Sequence, residues 1–162
     1  MQPQFIHLPE MKVVGLGAKY ISAMSPDKNN SDVIPKLWHQ FIQRIDQIPN
    51  RKDHASLGLV ERLPTADKSH PDALFYIAAA QVTDLDRVPT GMIHRVIPAG
   101  RYASFTHKGK LDSLPQTMKS IFVSWLPTSG VQLRPTPEIE LYDERFNPGS
   151  EQSEFDILLP VQ

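Results

Sequence analysis

Ala18-Lys19-Tyr20-Ile21-Ser22 returns 82 residues later as Gly100-Arg101-Tyr102-Ala103-Ser104. Working outward, Ile34-Pro35 overlays Leu114-Pro115, and Phe75-Tyr76-Ile77 overlays Phe155-Asp156-Ile157, both at a shift of 80. Each match alone is weak. Their common order, at a spacing of half the 162-residue chain, predicts a duplication.

The segments between these anchors fall into one order, repeated. Residues 11–23 are β-branched and apolar, with Gly15 and Gly17 inside, and read as a strand with a bend. Residues 25–31, SPDKNNS, are a polar loop. Asp32-Val33-Ile34-Pro35 carries helix-start signals, an early acid and a first-turn proline. Leu37, Phe41, Ile45 and Ile48 then mark one apolar stripe, widened by Trp38 and Ile42. Pro49 ends it. Residues 56–63 and 73–82 read as strands; the second, ALFYIAAAQV, is apolar on both faces and predicts a central position.

Residues 92–107 read as a strand broken at Pro98-Ala99-Gly100. Residues 112–125 form a second helix with apolar face Leu114, Met118, Ile121, Phe122 and Trp125, stopped by residues 127–130. Residues 137–146 and 153–161 are the last strands, joined at Asn147-Pro148-Gly149-Ser150. The fifteen prolines thus act mainly as punctuation.

The expected fold is α+β: one domain over residues 1–162, built from two βαββ units (about 8–83 and 90–162). Neither unit can bury its apolar face alone. Paired about a pseudo-twofold axis, they make one antiparallel sheet of six strands, with both helices on one face and a groove between them. The apolar character of ALFYIAAAQV points to a homodimer through the other face.

Composition narrows the chemistry. There is no cysteine, so disulfides, thiolate-bound metals and thiol nucleophiles are excluded. A formal charge of −1 offers no basic surplus for nucleic acid or a membrane surface. No secretory leader and no apolar run long enough to span a bilayer occur, so a cytoplasmic location is expected. The six histidines lack metal-site spacing, and no phosphate-loop or serine-elbow motif is present. No metal, cofactor or catalytic residue is therefore assigned.

In a strand, Glu138, Glu140 and Tyr142 share one face, and Ile139 and Leu141 the other. Either the glutamates are solvated, or a carboxylate points into a groove lined by rings such as Trp38, Tyr76, Phe105, Trp125 and Phe155. Such a groove suits flat apolar or cationic molecules.

Ile97-Pro98-Ala99-Gly100-Arg101-Tyr102-Ala103-Ser104-Phe105-Thr106-His107-Lys108-Gly109 resembles the signature of the GyrI-like, or AraC-type, effector-binding domains. Leu37-Trp38-His39-Gln40-Phe41, residues 125–130 (WLPTSG), Glu140-Leu141-Tyr142 and residues 157–161 (ILLPV) extend the resemblance in order over the chain. It implies a duplicated βαββ fold that binds small amphipathic, often cationic, compounds between the helices. It also implies that Glu140 sits at the base of the groove, with Glu138 the neighbouring candidate. Many relatives carry a DNA-binding region; this chain, whose sheet starts near residue 11, resembles the stand-alone members, including integron-cassette proteins. That implies no direct nucleic-acid or membrane contact, and a homodimer or a separate regulatory protein as partner. The alternatives are a hydrolase of strained electrophiles and a protein-docking inhibitor.

Overall fold

The computed structural model describes all 162 residues. Eight strands and two helical segments alternate as β1 (Gln4–Leu8), β2 (Met11–Ile21), α1 (Asn30–Arg44), β3 (Arg51–Arg62), β4 (Ala73–Val82), β5 (Ile93–Ile97), β6 (Gly100–Lys108), α2 (Leu114–Lys119), β7 (Glu138–Tyr142) and β8 (Glu154–Pro160). The second helical segment does not stop at α2. It passes through a π-helical stretch, Ser120–Trp125, into a last turn, α3 (Leu126–Thr128).

All strands join one antiparallel sheet in the order β1-β6-β8-β7-β3-β4-β2-β5. Exchanging the first four strands for the last four reverses this order and leaves it unchanged, which is the topology of a pseudo-twofold. The first strand of each half crosses over: β1 pairs with β6, and β5 pairs with β2. The halves meet along β3 and β7.

The sheet has eight strands rather than six. The expected break at Pro98-Ala99-Gly100 separates β5 from β6, and β1 precedes the expected first unit. β1 has five residues between Pro3 and Pro9, and its partner β6 lies far along the chain, so no local pattern announces it. Helix α1 starts at Asn30, which puts Pro35 inside the helix rather than in its first turn. The stripe Leu37, Phe41 and Ile48 is buried, but Ile42 is 62% exposed and does not belong to it.

The residue overlay behind the duplication also needs correction. Tyr20 packs beneath α1 while Tyr102 packs on the opposite face of the sheet, and Phe75 and Phe155 likewise face opposite sides. Because strand side chains alternate, an overlay shift wrong by one residue exchanges the faces. The duplication is one of topology, not of those residue pairs.

Two apolar clusters lie on the helix-covered face, one under α1 around Phe41 and Tyr76, the other under the second helical segment around Phe105, Ile121 and Phe155. A third fills the other face, around Leu59, Ile77, Ile139 and Tyr102. Ile6 and Leu8 from one edge strand and Ile93 and Ile97 from the other pack on this same cluster. The sheet therefore curls into a half-barrel whose hollow is filled by its own side chains. Ile77 and Ala79, the residues that suggested a second copy, are 1% and 0% exposed within one chain.

The IPAGRY segment has a structural task in this curl. The Arg134 guanidinium lies over Gly100, donating from Nε to the Val161 carbonyl (3.0 Å) and from Nη2 to the Arg101 carbonyl (3.2 Å). It also stands 5.1 Å from the Tyr102 ring centroid. A Cβ at Gly100 would occupy the space of that guanidinium. Gly100→Ala is expected to lower unfolding stability by about 1–3 kcal/mol, measured by urea denaturation; an unchanged midpoint would contradict the clamp.

Candidate functional site

The site forms where the two halves meet, because their seam strands carry opposite chemistry. On the helix-covered face, β3 presents Ser56, Gly58 and Val60 directly opposite Tyr142, Glu140 and Glu138 of β7. Ala78 continues the row beyond Gly58, and Ala18 and Tyr76 continue the row beyond Val60. The missing side chain of Gly58 leaves room above the sheet that the Tyr76 hydroxyl and the Glu140 carboxylate occupy.

Glu140 is the centre. The Tyr76 hydroxyl donates to Glu140 Oε2 at 2.5 Å, and the Tyr142 hydroxyl donates to the same oxygen at 2.9 Å. Trp38, reaching down from α1, donates its Nε1–H to the Tyr76 hydroxyl at 3.0 Å. Its ring stands edge-on to Tyr142, with centroids 5.3 Å apart. Three rings thus surround the carboxylate. Oε1 accepts no hydrogen bond, yet it is not fully sealed from solvent. Gly58 makes this possible: a Cβ there would run into the Tyr76 hydroxyl and the Glu140 carboxylate.

No lysine, arginine or histidine lies within ion-pair distance of Glu140 or Glu138. Burial pushes the Glu140 carboxyl above the ordinary range, opposed by the hydrogen bonds from Tyr76 and Tyr142. Burial, reinforced by the Glu140 charge, holds the Tyr76 and Tyr142 phenols well above their usual value, so both stay donors. Burial pushes Glu138 up to about 7, with Arg62 opposing and Glu140 adding.

Of the residues singled out from the sequence, Trp38, Tyr76 and Glu140 come together directly. Phe155, on the neighbouring strand β8, is 0% exposed and stacked on Tyr142 at 4.7 Å. Phe105 and Trp125 form a separate edge-to-face pair, 4.9 Å apart, under the second helical segment. Phe105 is 1% exposed, and Trp125 borders a different concavity of about 330 Å³ with Pro3, Phe5 and Val131. Tyr142, Tyr20 and Gly58 were not singled out. Tyr142 had a legible signal, since it shares the strand face of Glu140. Gly58 had none, because its role is to be absent where two distant side chains meet. No group of three potential metal ligands exists, and no helix is long and apolar enough to cross a membrane.

Two outcomes follow. Gly58→Ala should cost about 1–3 kcal/mol in unfolding stability, and it should redshift or broaden Trp38 fluorescence as the Tyr76–Glu140 contact opens; a variant matching the parent in both would contradict the packing. For Glu138, protonation is easier in the folded state. Its contribution is complete below about pH 4.5 and is lost as pH rises through about 7. Glu138→Gln should therefore be more stable than the parent at alkaline pH, by on the order of 1 kcal/mol or more, with no gain near pH 4. Melting curves across pH read this directly; a gain at acid pH alone would contradict it.

Comparison with known proteins bears on the fold and the family. BrlR, a transcriptional regulator of Pseudomonas aeruginosa, is 28% identical over 163 residues, covering 99% of this chain and 56% of that protein. The chain thus spans about half the length of the curated relatives it matches. Among solved structures, SAV2435 bound to tetraphenylphosphonium superposes with a TM-score of 0.79 at 18% identity, over 100% of this chain and 94% of that one. The Vibrio cholerae integron cassette protein VCH_CASS2 does so with a TM-score of 0.69 at 13% identity, over 100% and 97%. The family model for the GyrI-like small molecule binding domain matches residues 1–162. With the half-barrel, its two helical segments and the groove above β7 already in place, that match is decisive: the chain belongs to the GyrI-like small molecule binding family.

Proposed function

We propose that the groove binds amphipathic organic cations, with Glu140 as the counter-charge and Trp38, Tyr76 and Tyr142 as its walls. One observation carries this reading. Glu140 is held among aromatic rings with one oxygen tied to two phenols, the other open, and no cation nearby. An unpaired carboxylate removed from water is costly, and an entering cation supplies the missing partner while the rings replace its hydration shell. The lipophilic phosphonium cation on SAV2435 is in keeping with this. In this reading Phe155 supports the Tyr142 ring, while Phe105 and Trp125 pack together under the second helical segment, away from Glu140. The module acts as a sensor or a sequestering protein, alone or beside a separate regulatory protein.

A second reading draws on the same open oxygen. Glu140 Oε1 could take a proton from water attacking a strained electrophile bound in the groove. No nucleophile beyond water is at hand, so this route needs turnover that Glu140→Gln abolishes.

Tetraphenylphosphonium and the neutral triphenylphosphine oxide separate charge from shape. Glu140→Gln should weaken the cation about tenfold or more, the loss of one partly buried charge pair. The neutral compound should change by less than about threefold on the same scale. Calorimetric titration of both proteins measures this. Equal losses for the two compounds would contradict Glu140 as counter-charge.

A further inference from the structure

Glu138 is the second carboxylate of this groove, and nothing within the chain explains it. It points to the same side of β7 as Glu140, two residues away, a separation of roughly 6.6 Å along a strand. Its carboxylate accepts no hydrogen bond and makes no ion pair, and it is not sealed from solvent. Other half-buried carboxylates of the protein behave differently. Glu61 is paired with Arg95 at 2.7 Å, Asp143 and Asp156 share Arg145 at 2.7 and 2.6 Å, and Glu154 takes Lys108 at 2.8 Å. Asp84 has no cation but accepts from the Asn50 amide at 2.8 Å, whereas Glu138 has neither an ion pair nor a hydrogen-bond donor.

The neighbourhood of Glu138 continues that of Glu140. Tyr20 stands edge-on to Tyr76, centroids 6.2 Å apart, and lies close enough to both glutamates to feel their charge. The floor beside Glu138 is Val60 and Ala18. The charged groups that bear on it are Glu140, which opposes its ionisation, and Arg62 at the exposed end of β3, which favours it from beyond ion-pair distance. One cation at Glu140 would leave the second charge unmatched. Two small metal ions are a poor answer, because hard cations seek six or more oxygen ligands and these walls are aromatic and aliphatic. A single flat organic molecule with two positive centres matches both carboxylates at once.

We propose that this groove prefers organic dications over monocations, one charge on Glu140 and the second on Glu138 two residues along β7, with the rings of Trp38, Tyr76 and Tyr20 against the flat body between them. The proposal rests on the cation reading of Glu140 and adds a partner for Glu138. The up-shifted titration of Glu138 supports it, since a neighbouring positive charge is what would return that group to its ionised form.

The matched probes are methyl viologen, whose two ring nitrogens stand about as far apart as two residues of a strand, and the singly methylated bipyridinium with the same skeleton and one charge. Titrations are run at alkaline pH and fixed ionic strength, because salt screens the long-range part of the attraction. The parent protein should bind the dication about tenfold tighter than the monocation, one extra charge pair's worth. Glu138→Gln should bring the two to within about twofold of each other by weakening only the dication. Glu140→Gln should weaken both. Glu138→Asp, which keeps the charge one methylene further back, should retain part of the preference; thermal melts establish that each variant is folded. A parent without the preference, or one whose preference survives in Glu138→Gln, overturns the dication proposal and leaves the Glu140 reading standing if Glu140→Gln still weakens both. Failure of both cations to bind overturns the two together.

Discussion

The structure turns on one carboxylate placed among rings with no cation to neutralise it. An unpaired charge in such a place is expensive, and in most folds it would be solvated, protonated or paired. Here the cost is offset in part by two phenol donors on one oxygen, hydrogen bonds to a charged group being worth about 1.5–3 kcal/mol each. The other oxygen is left open.

Holding it there requires much of the chain. Gly58 must lack a side chain so that Tyr76 and Glu140 can meet above it. Tyr76 must come from β4, the neighbour of β3 on the far side from β7, and Trp38 from α1, which packs across both β2 and β4. Phe155 and Phe146 back the Tyr142 ring. The seam between two topologically equivalent halves is where this symmetry is broken. One half contributes Ser56, Gly58 and Val60, the other Tyr142, Glu140 and Glu138. Crossed edge strands and a self-filled hollow keep the two halves in register.

Much of this architecture was legible before the structure. The helix stripe at Leu37, Phe41 and Ile48 and the two-sided apolarity of β4 are local patterns, set by periods of about four and two residues, and both appear as expected. The strand face shared by Glu138, Glu140 and Tyr142 needed only alternation. What alternation could not supply was the opposing strand, so Gly58 stayed invisible. β1 and the crossing of the edge strands depend on pairings nearly a hundred residues apart, which no window along the chain reports. The mismatched overlay of Tyr20 with Tyr102 has the same origin, since a similar sequence sets the strand but the ladder sets which face looks at the helices. Phe105 and Phe155 read as aromatic in a sequence whether they line a groove or lie beneath it.

The central claim is that Glu140 waits, with its carboxyl pushed above the ordinary range, for a cation to arrive. Binding must then draw that group toward its ionised form and expel a proton wherever it is still protonated. Calorimetric titration of tetraphenylphosphonium in buffers of different ionisation enthalpy counts that proton. The account predicts proton release that falls as pH rises, because the carboxyl is then already ionised, and less release from Glu140→Gln than from the parent, Glu138 being common to both. Binding as tight in Glu140→Gln as in the parent, with no proton released by the parent at any pH, would contradict it.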